Sequence, residues 1–293
     1  MIRLAAKRIL GTMLRRYRLP MRRGFIEIHD EIAKKTLKLY WREDSFMETE
    51  FYRYGLYGSW ERQSLRIWAH VSRGAREILD VGANTGIYSL IARNNNPAAR
   101  IIAVEPIQIN ADILEANIDA NHADVIVERM AMSDREGEAE MFMLRDRLNY
   151  MTSVNDNRYA RHPEIAGQSE VVSTKVPVGT YRMLAKKHAL DGPDLIKIDV
   201  EGHEVAVLRS LLPFIRNHRP MILLEVIGDD NARAINEMMK GIGYVYLSID
   251  EKGQRAIFSP ALWDNDHQNF LVCRREQALQ LQQVGLAEGV ARD

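Results

Sequence analysis

The sequence has few of the features that build disulfide frameworks or membrane spans. Cys273 is the only cysteine among 293 residues, which excludes an intrachain disulfide and a cysteine-based metal cluster and fits a reducing compartment. Its apolar runs are short, such as residues 221–224, and none approaches the ~18–20 residues that a membrane-spanning helix requires. We therefore expect a protein that does not span a membrane and that acts in the cytoplasm.

An excess of charge of one sign is also missing, since 40 basic residues balance 40 acidic ones. The 46% hydrophobic and 27% charged fractions are those of an ordinary globular protein, which excludes the collagen-like and disordered classes. The balance is uneven along the chain: residues 1–23 carry eight basic and no acidic side chains, so the rest carries a net charge of −8. This negative balance argues against nucleic acid as a partner.

Residues 1–24 form a basic segment with apolar residues at helical spacing, namely Ile2, Ala6, Ile9, Leu10 and Met13. A solvated helix is the simpler interpretation. The alternative is a helix that contacts a partner or, peripherally, the inner face of an anionic membrane. A secretory signal is disfavoured because basic residues interrupt the apolar stretch.

Residues 25–75 are rich in aromatic side chains, and we predict a helical N-terminal region there. Over residues 76–275, short apolar runs alternate with helical patterns. Such alternation is typical of a doubly wound α/β domain with a parallel sheet, whose ligands bind at the carboxyl ends of the strands. Residues 276–293 are predicted to be a glutamine-rich helical tail. The apolar runs are 78–81, 101–105, 125–127, 195–199 and 221–226.

Two regions interrupt this alternation. Residues 138–144 and 171–178 are predicted strands on either side of a polar stretch, 145–170, which is either a lid over a substrate or a surface loop. Residues 244–249 and 268–274 have the pattern of an antiparallel pair that closes the sheet.

Acidic and glycine residues follow the first two strands of the predicted domain. The turn after Asp80 contains glycine, which lets a ligand approach the backbone. The dinucleotide pattern G-x-G-x-x-G fails, because Asn84 and Ile87 stand where its second and third glycines belong. Glu105 ends the second strand, where a carboxylate can accept both hydroxyls of a ribose. The sequence therefore predicts a nucleoside ligand without a pyrophosphate cradle.

Four segments together resemble one known family. They are Asp-Val-Gly-Ala-Asn-Thr-Gly at 80–86, Val-Glu-Pro at 104–106, Ser-Asp at 133–134 and Lys-Ile-Asp-Val-Glu-Gly-His-Glu at 197–204. These segments are similar to motifs of the FkbM-type S-adenosylmethionine-dependent methyltransferases, and the similarity spans roughly residues 60–273. The resemblance implies the Rossmann-like class I methyltransferase fold, an α/β fold with a sheet of seven strands whose last strand is antiparallel.

The resemblance also implies S-adenosylmethionine as the cofactor and assigns seven positions to it: Asp80, Gly82, Asn84, Gly86, Glu105, Ser133 and Asp134. The first two are expected to frame the methionine end, the next two to shape the turn, and Glu105 to hold the ribose hydroxyls. The last two are expected to border the adenine, with apolar contact from Ala131 and Met132. An ordinary turn is the alternative at 133–134.

The fourth strand ends in a cluster of side chains that can accept a proton. Alternation puts Lys197 and Asp199 on one side of the strand. Glu201 follows in the turn, and His203 opens the next helix. Histidine has a pKa suited to accepting a proton near neutrality, and Asp199 or Glu201 could orient it or act instead. We predict that these four residues are catalytic, without assigning the base.

Structural roles are alternatives at these positions: a Lys197–Asp199 ion pair, a helix cap at His203, and carboxylates that complement a helix N-terminus. A divalent cation is a further alternative, because oxygen ligands suit it. Its ligands would be drawn from Asp199, Glu201, Glu225, Asp229 and Asp230. No metal is included in the predicted site.

A sulfonium methyl group is already electrophilic, so the protein mainly supplies orientation, exclusion of water and a proton acceptor. From the resemblance we expect transfer to a hydroxyl oxygen of a sugar, a glycan or glycolipid, or a secondary metabolite. The substrate is then a small molecule, a glycan or a lipid-linked saccharide. The alternatives are a cofactor-binding module without catalysis and a nicotinamide oxidoreductase on a similar sheet, which would need the glycines that the first turn lacks.

Overall fold

The structure is a computed structural model that describes residues 23–145, 170–263 and 269–291. The basic segment 1–22 and most of the polar stretch 145–170 lie outside the described residues, so the predictions made for both stay predictions. Within the described ranges, no helix combines the length and the apolar character that crossing a bilayer requires.

The helices and strands fall into four groups along the chain. The first is β1 (Arg23–Asp30), β2 (Lys35–Arg42), α1 (Phe46–Tyr54) and α2 (Arg62–Val71). The second is β3 (Glu77–Val81), α3 (Ile87–Asn95), β4 (Arg100–Val104), α4 (Gln108–Ala120) and β5 (Ile126–Glu128). The third is β6 (Ala131–Met132), β7 (Gly137–Leu144), β8 (Val171–Gly179) and α5 (Tyr181–His188). The fourth is β9 (Leu195–Ile198), α6 (Glu204–His218), β10 (Met221–Glu225), α7 (Asp229–Met239), β11 (Tyr244–Asp250), β12 (Arg255–Ser259), β13 (Asn269–Arg274), α8 (Arg275–Gln283) and β14 (Ala287–Glu288).

A β-hairpin replaces the first part of the predicted helical region. The prediction for 25–75 is correct for α1 and α2 but wrong for the residues of β1 and β2, which pair as antiparallel strands. Ile26 and Ile28 are buried while Glu27 and His29 are exposed, and this period of two is the pattern of a strand. Aromatic crowding over the whole region favoured a helix and hid the alternation.

The central sheet has nine strands in the order β14-β12-β11-β13-β10-β9-β3-β4-β5. Strands β3, β4, β5, β9 and β10 are parallel to their neighbours in this set, and β13 pairs antiparallel with both β10 and β11. The predicted class I sheet of seven strands with its last strand antiparallel is thereby confirmed. The additional strands β12 and β14 extend one edge.

A smaller sheet and the end of the chain complete the architecture. Strands β7 and β8 form the antiparallel pair predicted at 138–144 and 171–178, and β6 joins β8 in parallel. The predicted helical tail is correct for α8. It is wrong for residues 287–288, which form β14 at the edge of the central sheet.

The central sheet is buried on both faces because successive side chains of its strands meet different layers. Ile78 belongs to an apolar cluster with Trp68 of α2 and Ile91 of α3. Its neighbour Leu79 belongs to a second cluster with Leu208 of α6. The carboxyl ends of the parallel strands are the place where a ligand can bind.

Candidate functional site

Two cavities open where β3, β4, β9 and β10 end. The β4-side cavity is lined by residues that include Gly82, Asn84, Glu105, Met132 and Met141. The β10-side cavity is lined by residues that include Glu61, Tyr88, Lys197, Glu225 and Asn269. Four residues line both cavities: Gly82, Asn84, Asp199 and Glu201. The two cavities therefore adjoin at these four residues.

Gly82 shapes the wall between the cavities. Its φ is +80°, and a Cβ atom at this position would lie 1.8 Å from the backbone oxygen of Asp199. The N–H groups of Gly82 and Ala83 both donate to the backbone oxygen of Val104, at 3.0 and 3.1 Å. Only glycine combines this backbone conformation with this close approach. Gly86, with a φ of +93°, closes the same turn at the start of α3.

Glu105 stands at the end of β4 with 4% of its surface exposed. Its Oε2 accepts a hydrogen bond from the backbone N–H of Asn84 and its Oε1 accepts one from Ile107, both at 2.9 Å. Burial raises the pKa of Glu105 to about 7, although these backbone bonds and the Asn110 side chain favour the ionised form. A carboxylate offers about four acceptor positions, so capacity remains for a ligand hydroxyl.

Methionine side chains form much of the apolar wall of the β4-side cavity. The predicted residues Ala131 and Met132 line it, and so do Met130 and Met141, which were not predicted. Met141 reaches the cavity because β7 pairs with β8. No local motif signals that placement.

Ser133 and Asp134 lie beside the β4-side cavity, in a polar pocket that His203 and Arg209 also line. The Ser133 Oγ lies 3.0 Å from the Nε2 of His203, and His203 lines both this pocket and the β4-side cavity. Burial lowers the pKa of His203, against the opposing charge of Asp134. The predicted adenine-bordering pair is therefore at the margin of the cavity, next to a neutral imidazole.

Asp80 is fully buried and lines neither cavity. The Ser89 hydroxyl donates to its Oδ2 at 2.7 Å, and among the described residues its Oδ1 has no hydrogen-bond partner. Burial raises the pKa of Asp80, and the Lys197 ammonium opposes that shift. Its role at the methionine end of the cofactor stays a prediction.

Lys197 and Asp199 form an ion pair at the end of β9. The distance from Nζ to Oδ2 is 2.7 Å, and the same ammonium lies 4.5 Å from the ring centroid of Tyr88. Burial disfavours the Asp199 carboxylate, but the Lys197 charge and a hydrogen bond with Glu225 hold the pKa of Asp199 below its usual value. The structure thus contains the ion pair considered as an alternative, and it places both partners in the β10-side cavity.

Three carboxyl groups gather at this point. One oxygen from each of Asp199, Glu201 and Glu225 lies within 4.8 Å of the others. Burial and the charges of Asp199 and Glu201 raise the pKa of Glu225 well above its usual value, and a hydrogen bond with Asp199 acts in the same direction. Asp229 and Asp230 are exposed at the start of α7. Only three of the five candidate cation ligands are therefore brought together.

Glu61 faces the β10-side cavity from the turn before α2, and the sequence did not indicate it. The Tyr88 hydroxyl donates to its Oε2 at 2.6 Å, and the Asn269 amide donates to its Oε1 at 3.2 Å. Burial and the Asp199 charge raise the pKa of Glu61 to about 7. No motif marks these residues. The only sequence feature near Glu61 that could have pointed to it is the group of aromatic residues that ends at Trp60, which also lines the cavity.

Three non-glycine residues with left-handed backbone conformations line the β10-side cavity. They are Glu61, Asn84 and Glu201, with φ values of +42°, +52° and +55°. Such conformations cost about 1–3 kcal/mol each and persist only where the surrounding structure imposes them. The fold therefore holds these three side chains in directions that a relaxed backbone would not give them.

The sheet order, the acidic residue after β4 and the paired cavities define an α/β protein of the class I methyltransferase type. A family model described as the methyltransferase FkbM domain matches residues 80–246, which is more than half of the chain. The chain belongs to the FkbM methyltransferase family.

Two relatives and one solved structure are also described as methyltransferases. Methyltransferase sdnD of Sordaria araneosa is 24% identical over 219 residues, which cover 68% of this chain and 81% of that protein. Methyltransferase 1 of Beauveria bassiana is 26% identical over 148 residues, which cover 46% of this chain and 57% of that protein. The crystal structure of methyltransferase FkbM from Methylobacillus flagellatus KT has a TM-score of 0.43 at 16% identity, covering 67% of this chain and 43% of that chain.

Proposed function

We propose that this protein is an S-adenosylmethionine-dependent O-methyltransferase that acts in the cytoplasm on a hydroxyl group of a sugar, a glycan or glycolipid, or a secondary metabolite. The observation that carries the proposal is the junction of two cavities at Gly82 and Asn84. One cavity offers a buried carboxylate and an apolar wall. The other offers carboxylates, which accept hydrogen bonds from hydroxyls. A methyl donor and its acceptor can meet between them.

The residues of the β4-side cavity fit the nucleoside part of S-adenosylmethionine. Glu105 is fixed by two backbone N–H donors and keeps acceptor capacity for the ribose. Met130, Met132 and Met141 supply soft apolar contacts for a flat aromatic base. The turn after β3 lacks the glycines of a pyrophosphate site, which agrees with a cofactor that carries no phosphate.

The protein's own residues position the two reactants. S-adenosylmethionine, when bound, supplies an electrophilic methyl group. Asp199 and Glu201 line both cavities, so they bind the acceptor hydroxyl and orient its oxygen toward the junction. Lys197 keeps Asp199 ionised through their ion pair. His203, which is hydrogen-bonded to Ser133 on the β4 side, acts on the cofactor rather than on the acceptor.

Calorimetric titration with S-adenosylmethionine tests the cofactor half of the proposal. Removing a buried polar partner costs about 1–3 kcal/mol, so Glu105→Ala should bind about 5–150-fold more weakly than the wild type. Glu237→Ala is the control, because it alters an exposed carboxylate on α7 that pairs with Lys240, and its affinity should be unchanged. If the folded protein gives no heat of binding at high S-adenosylmethionine concentration, the proposal is contradicted.

A panel of methyl glycosides tests the acceptor half. The protein is incubated with methyl-labelled S-adenosylmethionine and neutral, amino and deoxy methyl glycosides, and products are located by mass spectrometry and NMR. We expect the label on a hydroxyl oxygen. Label on nitrogen, or turnover with none of the panel and none of a matching set of hydroxylated secondary metabolites, would contradict O-methylation.

We also propose that residues 1–23 bring the protein to an anionic membrane surface, which would suit a lipid-linked acceptor. The support is the sequence alone: eight basic and no acidic side chains. Sedimentation with phosphatidylglycerol vesicles should pull down the full chain more strongly than a chain that begins at residue 24. Equal binding of the two would contradict this part of the proposal.

A further inference from the structure

Five carboxyl groups line the β10-side cavity: Glu61, Asp199, Glu201, Glu225 and Glu251. Asp199 is held ionised by Lys197 at 2.7 Å, which makes it a weak base. Burial and the neighbouring charges of Asp199 and Glu201 raise the pKa of Glu225 well above its usual value, which favours its protonated form. Glu201 lies within 4.8 Å of both and belongs to their cluster. This cluster suits binding and orientation of an acceptor better than uptake of a proton.

The carboxylate of Glu251 is hydrogen-bonded to the N-terminus of α2. Its carboxylate accepts hydrogen bonds from the backbone N–H of Gln63 at 2.6 Å and of Ser64 at 3.1 Å. The Arg62 side chain donates to the backbone oxygen of Glu251 at 2.6 Å. These bonds attach the turn after β11 to α2, so the role of Glu251 is to close one end of the cavity.

Glu61 is held by side chains from two other elements. Its oxygens accept hydrogen bonds from the Tyr88 hydroxyl on α3 and the Asn269 amide on β13, both of them uncharged donors. The charged groups that act on Glu61 are the Lys197 ammonium, which favours its carboxylate, and Asp199 and Glu251, which disfavour it. Glu61 also has a left-handed backbone conformation and lines the cavity together with its neighbour Trp60. Its pKa of about 7 is near the value at which a proton acceptor works best in neutral solution.

We propose that Glu61 is a catalytic residue that takes the proton of the acceptor hydroxyl during methyl transfer. The inference rests on the proposed function. In the transfer step the acceptor oxygen forms a bond to the methyl carbon while the carbon–sulfur bond breaks and leaves its electron pair on sulfur. The hydroxyl proton passes to an oxygen of Glu61. The sulfonium loses its positive charge and the carboxylate its negative charge, so the step is balanced.

Infrared difference spectroscopy tests the state of Glu61 without any acceptor. Spectra of the wild type minus those of Glu61→Gln are recorded from about pH 5 to pH 9. We expect a protonated-carboxyl band that is lost with a midpoint near the pKa of about 7. Absence of such a band from the difference spectra would overturn the inference.

Single-turnover methyl transfer tests the catalytic role, with the methyl glycoside that the wild type converts fastest. Glu61→Gln should lose about 10²–10⁴-fold in rate, the usual contribution of a positioned base, and its rate should no longer rise with pH near 7. Glu61→Asp should be slower than the wild type but keep the pH-dependent rise. Glu237→Gln is the control for an exposed carboxylate. Binding of S-adenosylmethionine should be equal in all four proteins.

The outcomes separate this inference from the proposed function. A wild-type rate in Glu61→Gln, or a slower rate with an unchanged pH profile, would overturn the role of Glu61 and leave the proposed function intact. If the wild type methylates no hydroxyl, the proposed function fails, and the catalytic role of Glu61 fails with it even where the infrared band is present.

Discussion

Gly82 occupies a position where both the backbone angle and the space exclude a side chain. Its φ is +80° and a Cβ would lie 1.8 Å from the Asp199 oxygen. Gly241 has a similar φ of +77°, but nothing lies within 4 Å of its Cβ position. Gly241→Ala should therefore lose only the ~1–2 kcal/mol of a left-handed alanine, and Gly82→Ala clearly more. Urea denaturation measures both variants, and equal losses would show that the close approach does not matter.

Glu105 links the stability of the protein to pH. Because its pKa rises from 4.5 to about 7 on burial, the folded protein holds a proton between these values that the unfolded chain has released. The free energy of unfolding therefore falls as pH rises through this window. Glu105→Gln removes this contribution, so its Tm should fall less between pH 5 and pH 7 than that of the wild type.

Glu61 contributes a slope of the same sign, since its pKa is also raised to about 7. The Tm of the Glu105→Gln variant should therefore still fall in part between pH 5 and pH 7. The Tm of the double variant with Glu61→Gln should fall still less. Tm values that change in parallel with pH in all three proteins would contradict the raised pKa of Glu105.

Residues that stand in motifs could be placed from the sequence, because motif and strand end coincide. Gly82, Glu105 and Asp199 line the cavities, whereas Asp80 of the same motif lines neither, and the roles of all four stay predictions. Glu61 could not be placed, because its surroundings depend on Asn269, which is far away in sequence and comes near only when β13 has joined the sheet. A single sequence carries no signal for such a pairing.

At the scale of elements, the hairpin is attached to α4 by amide side chains. The Lys38 N–H donates to Asn121 Oδ1 at 2.8 Å, and the Asn121 amide donates back to the Lys38 oxygen at 2.7 Å. The Tyr40 N–H donates to Asn117 Oδ1 at 2.6 Å. Asn117 also donates to the Thr85 oxygen at 2.8 Å, in the turn that precedes α3. The hairpin and the turn that precedes α3 are thus joined through one buried asparagine.

Asn117→Leu should leave the Tyr40 N–H and the Thr85 oxygen unpaired. Each buried unpaired group costs about 1–3 kcal/mol, and the loosened turn should also weaken binding of S-adenosylmethionine. Asn121→Leu is the matched control, since its bonds to Lys38 are exposed and water can replace them. Urea denaturation and calorimetry of both variants check this. A larger effect at Asn121 than at Asn117 would contradict it.

The hairpin itself could have been predicted from the sequence. Leu37 and Leu39 on β2 are buried, and the residue between them, Lys38, is exposed, which repeats the alternation seen on β1. The attachment of the hairpin to α4 could not have been predicted. An asparagine in a helical segment is usually solvent-exposed, and nothing in the local sequence shows that the backbone N–H groups of Lys38 and Tyr40 lie beside Asn121 and Asn117.

At the scale of the whole molecule, β13 completes the central sheet from a late part of the chain. It pairs with β10 on one side and β11 on the other, yet the family-matched segment 80–246 ends before it. A fragment of residues 77–246 would leave β10 without its antiparallel partner and would cut β11 short, and we expect it to show no cooperative thermal unfolding by circular dichroism. A fragment of residues 23–291 should show one transition. A cooperative transition in the shorter fragment would contradict this.

The alternation of apolar runs and helices predicted the central sheet because strands buried on both faces are nearly continuous apolar runs, which have a strong composition signal. The edge strands were not predicted, because they lack such a composition signal. Strand β14 has only two residues and pairs only with Ala256 and Ile257. Its existence follows from the packing of α8 and not from its own residues.

The two cavities have different origins along the chain. Every residue of the β4-side cavity falls within the family-matched segment, whereas the β10-side cavity takes much of its wall from outside it. The outside contributors are Phe46, Met47, Trp60, Glu61, Glu251 and Asn269. If the β4-side cavity holds the methyl donor as proposed, mutation and selection can exchange one acceptor for another without touching that half, so family members with similar matched segments can diverge in what they methylate.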